Sequence, residues 1–186
     1  MLRRKQKQSV LYMDDISNDS AFAVIAEGQR PPLRLDALDI AILRVLQDRA
    51  NSSIADISAI VGLSHTPCWK RVRRLHEARV ITGQVSLLDP LAVGLGVTAF
   101  AHIRVDLGEA DSLERFEAAV ADVPQIMECY AVSGSWNFLL KIVAESVESY
   151  ERLLKKKLIH LPGVSSLEST IALSRVKHTT RLPLAG

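Results

Sequence analysis

The feature that most constrains this chain is a series of three short helical segments, of which the second and third are joined by a glycine-containing turn. Apolar residues recur at three- and four-residue spacing over residues 35–46 and again over residues 54–60. Gly62 can take the positive φ that ends a helix, and Ser64 is a candidate N-cap for a third helix with Pro67 in its first turn. The spacing of these segments is typical of a helix-turn-helix.

Positive charge is concentrated in one short segment. Residues 64–79 contain five lysines and arginines and one glutamate, a local net charge of +4, whereas the whole chain has a formal net charge of +2. Such a concentration favours a polyanionic partner for this segment. Judged on charge alone, a solvated basic helix face is an equally good interpretation.

The third helix, from residue 65 to about residue 79, presents polar and cationic side chains suited to the major groove of double-stranded DNA. We expect the residues near its start to reach base edges and the later arginines to bind phosphates. The candidate DNA-binding residues are Ser64, His65, Thr66, Lys70, Arg71, Arg73 and Arg74. Trp69 is interpreted as a core anchor and Cys68 as a small buried residue.

The segments on either side of these helices set the limits of the first domain. Residues 80–88 alternate like a strand, which predicts a winged helix-turn-helix domain over residues 35–89. Residues 90–96 are interpreted as a linker. Residues 1–34 mix charged and small polar residues up to the pair Pro31-Pro32 and predict a flexible N-terminal tail.

Alternating apolar residues replace the helical pattern over most of the remaining chain. Ser133-Gly134-Ser135, between two alternating segments, is a hairpin signal. The predicted strands cover residues 97–105, 126–132, 136–143 and 164–176, and the predicted helices cover residues 113–120 and 147–158. This β-α-β-β-α-β order predicts a ferredoxin-like sensing and oligomerisation domain over residues 97–186. The predicted fold class is α+β, an N-terminal winged helix-turn-helix followed by this domain.

Several classes of protein are disfavoured by what the sequence lacks. Cys68 and Cys129 lie in different segments, so we expect neither a disulfide nor a zinc site, and a cytoplasmic protein. No apolar run reaches about 18 residues, and no secretory signal is visible, so we expect no membrane association. The sequence lacks common hydrolase and phosphate-binding motifs, and His102, His160 and His178 are widely spaced, so we expect no enzyme, cofactor or metal.

Several strings, in a consistent order, resemble the leucine-responsive/AsnC, or feast/famine, family of regulators. The most specific is Leu63-Ser-His-Thr-Pro-Cys-Trp-Lys-Arg-Val-Arg-Arg-Leu75. The others are Leu35-Asp-Ala-Leu-Asp-Ile-Ala-Ile-Leu43, Leu87-Leu-Asp-Pro90, Val132-Ser-Gly134 and Leu161-Pro-Gly-Val164. The similarity covers about residues 35–184. It implies homodimers formed through the second domain, often assembled into tetramers or octamers, which place two recognition helices on a pseudo-palindromic site.

The resemblance also implies an amino-acid site at the loop between the second and third strands. The residues of that loop here are Val132, Ser133, Gly134, Ser135, Trp136 and Asn137. Gly134 would let backbone N–H groups approach a carboxylate, and Ser133 or Ser135 could add a hydroxyl donor. The family commonly has acidic residues where this chain has Ser135 and Asn137, so two negative charges are missing, although the Asn137 carbonyl can still accept a hydrogen bond. A simple hairpin turn is the alternative interpretation.

Two further expectations concern the second domain. A sheet with helices on one side leaves an open face, which we expect a second copy to bury, with Phe100, Tyr130 and Phe138 as possible contributors. The run Lys155-Lys156-Lys157 is expected near a helix C-terminus, where cations suit the helix dipole, and a second DNA contact is the alternative interpretation.

The sequence therefore predicts a sequence-specific DNA-binding transcription regulator modulated by an amino acid or related small metabolite. Its expected partners are double-stranded DNA, a small-molecule effector and further copies of itself. A small-molecule-binding or architectural oligomer with little operator specificity is the alternative.

Overall fold

The computed structural model describes residues 33–106 and 111–185. They fall into two compact units, one running to Val85 and including the C-terminal residues from Thr179, the other running from Ser86 to His178. All but the last two residues of the predicted N-terminal tail, residues 1–34, lie outside the described residues.

The first unit contains three helices whose ends are fixed by local hydrogen bonds. They are α1 (Ala37–Asp48), α2 (Ile54–Val61) and α3 (His65–Glu77). Capping boxes begin α1 at Asp36 and α2 at Ser53, where each side chain accepts from a backbone N–H three residues on. Gly62 ends α2 with a φ of 70°, a left-handed conformation that glycine adopts without strain. The helix-turn-helix is thus present as predicted.

A small apolar core holds the three helices together. Its fully buried members include Ile42 of α1, Ile57 of α2, and Cys68 and Leu75 of α3. The predicted burial of Cys68 is confirmed. The prediction for Trp69 is wrong, because 43% of this residue is exposed. One residue along a helix is a rotation of about 100°, so a neighbour of Cys68 is turned away from the core.

The alternation of residues 80–88 predicts a wing strand, but no strand is formed there. Val85, Leu87 and Leu88 are largely exposed. An extended segment becomes a stable strand only when a neighbouring strand takes up its backbone hydrogen bonds. Within the described part of this single chain, no such neighbour pairs with residues 80–88.

The C-terminal segment packs on α1 rather than with the second unit. The side-chain amide of Gln47 accepts from the backbone N–H of Leu182 at 2.5 Å and donates to its carbonyl at 3.4 Å. Arg44 donates to the carbonyl of Leu184 at 3.2 Å, and the Leu184 side chain packs against the core of the first unit. Residues 179–185, which the sequence places in the domain 97–186, therefore group with the first unit.

The second unit is a four-stranded antiparallel sheet with two helices. The elements are β1 (Val97–Val105), α4 (Ser112–Ala121), β2 (Ile126–Ala131), β3 (Phe138–Ala144), α5 (Val147–Lys156), a short 3-10 turn (Leu158–His160) and β4 (Val164–Ile171). The strand order across the sheet is β2-β3-β1-β4. The predicted β-α-β-β-α-β order is confirmed, although the last strand ends at Ile171 rather than at residue 176.

The core of the second unit lies on one face of the sheet. Alternate residues of β1 and β3, among them Ile103 and Leu140, are buried against Phe116 of α4. Phe138 belongs to this core, with its ring 4.5 Å from the ring of Phe116. Phe138, one of three possible contributors to the open face, therefore does not lie on it. Because β3 begins at Phe138, the period of two puts Phe138 on the same side as Leu140 and Ile142.

Three other expectations can be compared with the described residues. Lys155 and Lys156 lie in the last turn of α5, where the helix dipole favours cations, and Lys155 also pairs with Glu151 at 2.5 Å. Cys68 and Cys129 are free thiols. Among the described helices, none combines the length and apolar character needed to cross a bilayer.

The packing of Phe116 makes a direct stability prediction. Phe116→Ala should lower the free energy of unfolding by about 3–5 kcal/mol, because it removes a fully buried ring that stacks on Phe138. Glu117→Ala, on the exposed side of the same helix, should change it by less than about 0.5 kcal/mol. Chemical denaturation followed by circular dichroism measures both, and equal effects of the two substitutions would contradict the assigned core.

Candidate nucleic-acid interface and effector loop

Helix α3 has one buried face and one polar face. Cys68 and Leu75 are fully buried and fix the inner side of the helix. At about 100° per residue, Thr66, Lys70 and Arg73 lie on the opposite side, about 140–160° around the helix from Cys68. All three are exposed. The outer face of α3 therefore presents one hydroxyl and two cations to solvent.

The start of α3 extends this polar face. Ser64 is the N-cap residue, and its side chain makes no capping hydrogen bond. Ser64 and His65 are both exposed. The first backbone N–H groups of a helix have no partner within the helix and carry partial positive charge, a combination that suits a phosphate oxygen.

Two of the predicted DNA-binding arginines are instead drawn towards the start of α1. One nitrogen of the Arg71 guanidinium donates to Asp36 at 2.6 Å and to Asp39 at 2.8 Å. Arg74 donates to the other carboxylate oxygen of Asp39. Asp39 is fully buried. The structure thus leaves Ser64, His65, Thr66, Lys70 and Arg73 exposed, whereas the guanidiniums of Arg71 and Arg74 are bound to carboxylates at the start of α1.

The electrostatics at the edge of this cluster follow from the same contacts. The pKa of Asp36 is lowered, first by the hydrogen bond from the backbone of Asp39 and then by the hydrogen bond from Arg71. Hydrogen bonds to Asp36 and Asp39 raise the pKa of Arg71 above its ordinary value. Both pKa shifts favour the charged forms, so the contacts of this cluster are ion pairs between charged side chains.

Trp69 adds an exposed aromatic ring beside the cationic face. The Arg73 guanidinium lies 5.4 Å from the centre of the Trp69 ring, and its Nε donates to Glu77 at 2.7 Å. Interpretation of the sequence missed the exposure of Trp69. The predicted burial of Cys68, one residue earlier, could have indicated this exposure, because only one of two adjacent helical residues can face a narrow core.

The loop between β2 and β3 is anchored to β1. The Val132 N–H donates to the carbonyl of Asn137, and the Asn137 N–H donates to the carbonyl of Ile103, each at 2.9 Å. The side-chain oxygen of Asn137 accepts from the Val105 N–H at 2.9 Å. The acceptor that the sequence suggested for a ligand is therefore used to hold the loop. Gly134 has a φ of 107°, which strains any residue with a Cβ.

Sequence reasoning missed two β1 side chains beside this loop. Arg104 donates to the carbonyl of Ser135 from Nε at 3.1 Å and from Nη2 at 2.8 Å. Its guanidinium lies 5.2 Å from the centre of the Trp136 ring, and the His102 ring lies 5.9 Å from the same centre. The alternation along β1 puts His102 and Arg104 on one face of the sheet, and this pattern could have predicted that the two side chains lie close together.

The open face of the sheet is mixed in character. Phe100 pairs in register with Lys141, and Tyr130 with Leu139, on the side away from the helices. Tyr130 is largely exposed, and its hydroxyl donates to Glu128 at 2.8 Å. Lys141 also binds Glu128, at 2.6 Å, and lowers the pKa of that carboxyl. Phe100 and Tyr130 therefore lie on the open face, as expected.

Comparison with known proteins agrees with both units. A model of the AsnC-type helix-turn-helix domain matches residues 35–76, and a model of the Lrp/AsnC ligand binding domain matches residues 98–182. The leucine-responsive regulatory protein of Salmonella typhimurium is 38% identical over 159 residues, covering 86% of this chain and 97% of that protein. The glutamate uptake regulatory protein of Zymomonas mobilis is 38% identical over 151 residues, covering 81% and 92%.

The structure gives the same result. A transcriptional regulator from Neisseria meningitidis, solved as a complex with L-Met, superposes with a TM-score of 0.77 and 32% sequence identity. The match covers 81% of this chain and 97% of that one. With its exposed basic helix, its sheet unit and these similarities, the chain belongs to the Lrp/AsnC family of DNA-binding transcriptional regulators, with an AsnC-type helix-turn-helix and an Lrp/AsnC ligand-binding domain.

Proposed function

We propose that this chain reads specific DNA sequences with the outer face of α3 and that a small molecule bound at residues 132–137 modulates the binding. The observation that carries the first part is the placement of Thr66, Lys70 and Arg73 opposite the buried Cys68. The recognition helix of a helix-turn-helix contacts base edges in the major groove with residues near its N-terminus. His65 and Thr66 occupy that part of α3.

The polar character of the outer face supports base reading as well as phosphate binding. Lysine and arginine donate to guanine, and threonine can donate or accept and can contact the thymine methyl group. The solvent-exposed pair between Arg73 and Glu77 is a weak restraint, so Arg73 can exchange it for a DNA contact. A surface that only attracted phosphates would bind all duplexes alike, which is the behaviour of the architectural alternative.

Loss of the outer cations should weaken DNA binding. Lys70→Ala and Arg73→Ala should each reduce affinity for a duplex enriched from a random library by about 5- to 150-fold, the cost of about 1–3 kcal/mol for one lost contact. Fluorescence anisotropy measures the binding. Lys156→Ala, which removes an exposed lysine of α5, is the matched control and should bind as the unaltered chain does. Equal affinity for enriched and scrambled duplexes would favour the architectural alternative.

The effector part of the proposal rests on the loop and its surroundings. The Arg104 guanidinium and the exposed backbone around Gly134 offer donors suited to a carboxylate. The Trp136 ring offers an apolar surface beside them. The Neisseria regulator was solved with L-Met, and the Zymomonas relative is named for glutamate uptake, which makes amino acids and their derivatives the first compounds to test.

A side chain at Gly134 should abolish the response to the effector. In a thermal-shift screen of amino acids and their derivatives, an effector should raise the melting temperature of the unaltered chain, because it binds only the folded state. Gly134→Val should remove that rise, since its φ of 107° strains a β-branched residue. Gly83→Ala, in open space and outside the loop, should retain it. An equal rise in both variants would show that the effector binds elsewhere.

We further propose that the open sheet face mediates self-association. Phe100 and Tyr130 offer apolar surface there, and a symmetric dimer would present two α3 helices to two half-sites of a pseudo-palindrome. Phe100→Glu should shift the chain towards monomers in sedimentation velocity. Glu114→Ala, on the exposed side of α4, should leave the assembly unchanged. A chain that is monomeric before any substitution would contradict this proposal.

A further inference from the structure

Resting on the proposed DNA-binding role of α3, we infer that its four arginines and lysines between residues 70 and 74 divide into two functional pairs. Arg71 and Arg74 are positioning residues that fix the orientation of α3 through the buried carboxylate of Asp39. Lys70 and Arg73 make the direct contacts with DNA. The basic residues of the helix are thus not equally available to DNA, because Arg71 and Arg74 are paired with carboxylates within the protein.

The carboxylate of Asp39 attaches α3 to α1 through both of its oxygens. Oδ1 accepts from Arg71 at 2.8 Å, and Oδ2 accepts from Arg74. Oδ2 also accepts from the backbone N–H of Asp36 at 3.1 Å, as part of the cap of α1. The two arginines lie three residues apart, so they hold successive turns of α3 against the start of α1. Rotation of α3 about its axis would break both bonds.

Burial decides which arginines can leave their partners for DNA. The side chain of Asp39 has no exposure, whereas that of Glu77, the partner of Arg73, is 60% exposed. Each arginine that leaves Asp39 removes one of the few donors that compensate a fully buried charge, which is unfavourable because solvent cannot replace it there. Breaking an exposed pair costs little, because water and salt replace the partner. A phosphate group can therefore attract Arg73 but competes poorly for Arg71 and Arg74.

Helix geometry separates Arg71 from Lys70, whereas Arg74 lies about 120° from Cys68 and is set apart by its ion pair with Asp39 rather than by its direction. At about 100° per residue, Arg71 lies only about 60° around the helix from the buried Cys68, whereas Lys70 lies about 160° away. Lys70 has no ion pair among the residues that the structure describes. Asp36 and Asp39 together balance the charges of Arg71 and Arg74. The positioning pair therefore adds no net charge to the surface that DNA meets.

The salt dependence of binding separates the two roles. Each phosphate that a protein neutralises contributes about −0.9 to the slope of log K against log salt concentration for B-DNA. We would measure this slope by anisotropy with a 30-base-pair duplex enriched from a random library. Lys70→Ala should flatten the slope by about 0.9. Arg71→Ala and Arg74→Ala should reduce affinity by at least about fivefold at every salt concentration, because a misplaced helix loses its base contacts. Neither substitution should change the slope.

The variant Asp39→Asn gives opposite outcomes under the two possible roles. If Arg71 and Arg74 only position α3, loss of the charge on Asp39 should weaken binding and leave the slope unchanged. If they are DNA ligands held back by Asp39, the same substitution should release them, tighten binding and steepen the slope. The second result would overturn the inference, as would a slope change for Arg71→Ala or Arg74→Ala equal to that for Lys70→Ala.

Thermal melts show which variants remain folded at the assay temperature. Arg74 is 46% exposed and contacts only one of the two carboxylates, so Arg74→Ala is the least disruptive substitution, and its slope decides the matter if the others unfold. An unaltered chain that binds no duplex would contradict the proposed function and this inference together. An unaltered chain that binds with a steep salt slope to which Lys70, Arg71 and Arg74 contribute equally would contradict the division of roles alone.

Discussion

The ion cluster around Asp39 is the contact on which the proposed DNA-reading surface depends. Its carboxylate is fully buried in a unit whose apolar core has only a few fully buried side chains. A buried carboxylate is tolerated when hydrogen-bond donors and opposite charges surround it, and here they are the backbone N–H of Asp36 and the guanidiniums of two arginines of α3. Apolar contacts at Cys68 and Leu75 hold the inner side of α3. The ion pairs restrain its rotation, so together they determine which side chains face outwards.

The second unit uses a different restraint to present its loop. Residues 132–137 are held not by a core of their own but by hydrogen bonds to β1, at Ile103 and Val105. Arg104 adds two bonds to Ser135 from the same strand. The loop thus has its polar contacts concentrated on one strand, and that strand also carries Phe100 on the open face. A ligand that altered the contact with Arg104 would act on a residue four positions from a proposed subunit interface.

The features that sequence predicted well are those set by neighbours along the chain. Gly62 and the capping residues mark helix ends, and the period of the apolar residues gives the order of strands and helices along the second unit. Trp69 and Phe138 were misplaced because a shift of one residue reverses a strand face and turns a helix by about 100°. The wing strand was overpredicted because alternation shows that a strand could form, not that a partner strand is present.

Long-range polar contacts could not be predicted in the same way. The arginines of α3 meet Asp39 across 32 and 35 residues of sequence, and Leu182 meets Gln47 across 135. The helical period places Arg71 nearer than Lys70 to the predicted core residue Cys68, but nothing in the local pattern identifies Asp39 as a partner of either cation. The two differ only in the direction that α3 gives them, and that direction follows from the packed core.

The central claim is that α3 meets DNA with the face opposite its core while Asp39 holds the arginines beside that core. Its most direct test is an NMR titration of the arginine and lysine side-chain resonances with an enriched duplex. We predict that the signals of Lys70 and Arg73 shift on binding and that those of Arg71 and Arg74 stay in place. Shifts of Arg71 and Arg74 with unchanged signals of Lys70 and Arg73 would contradict the account.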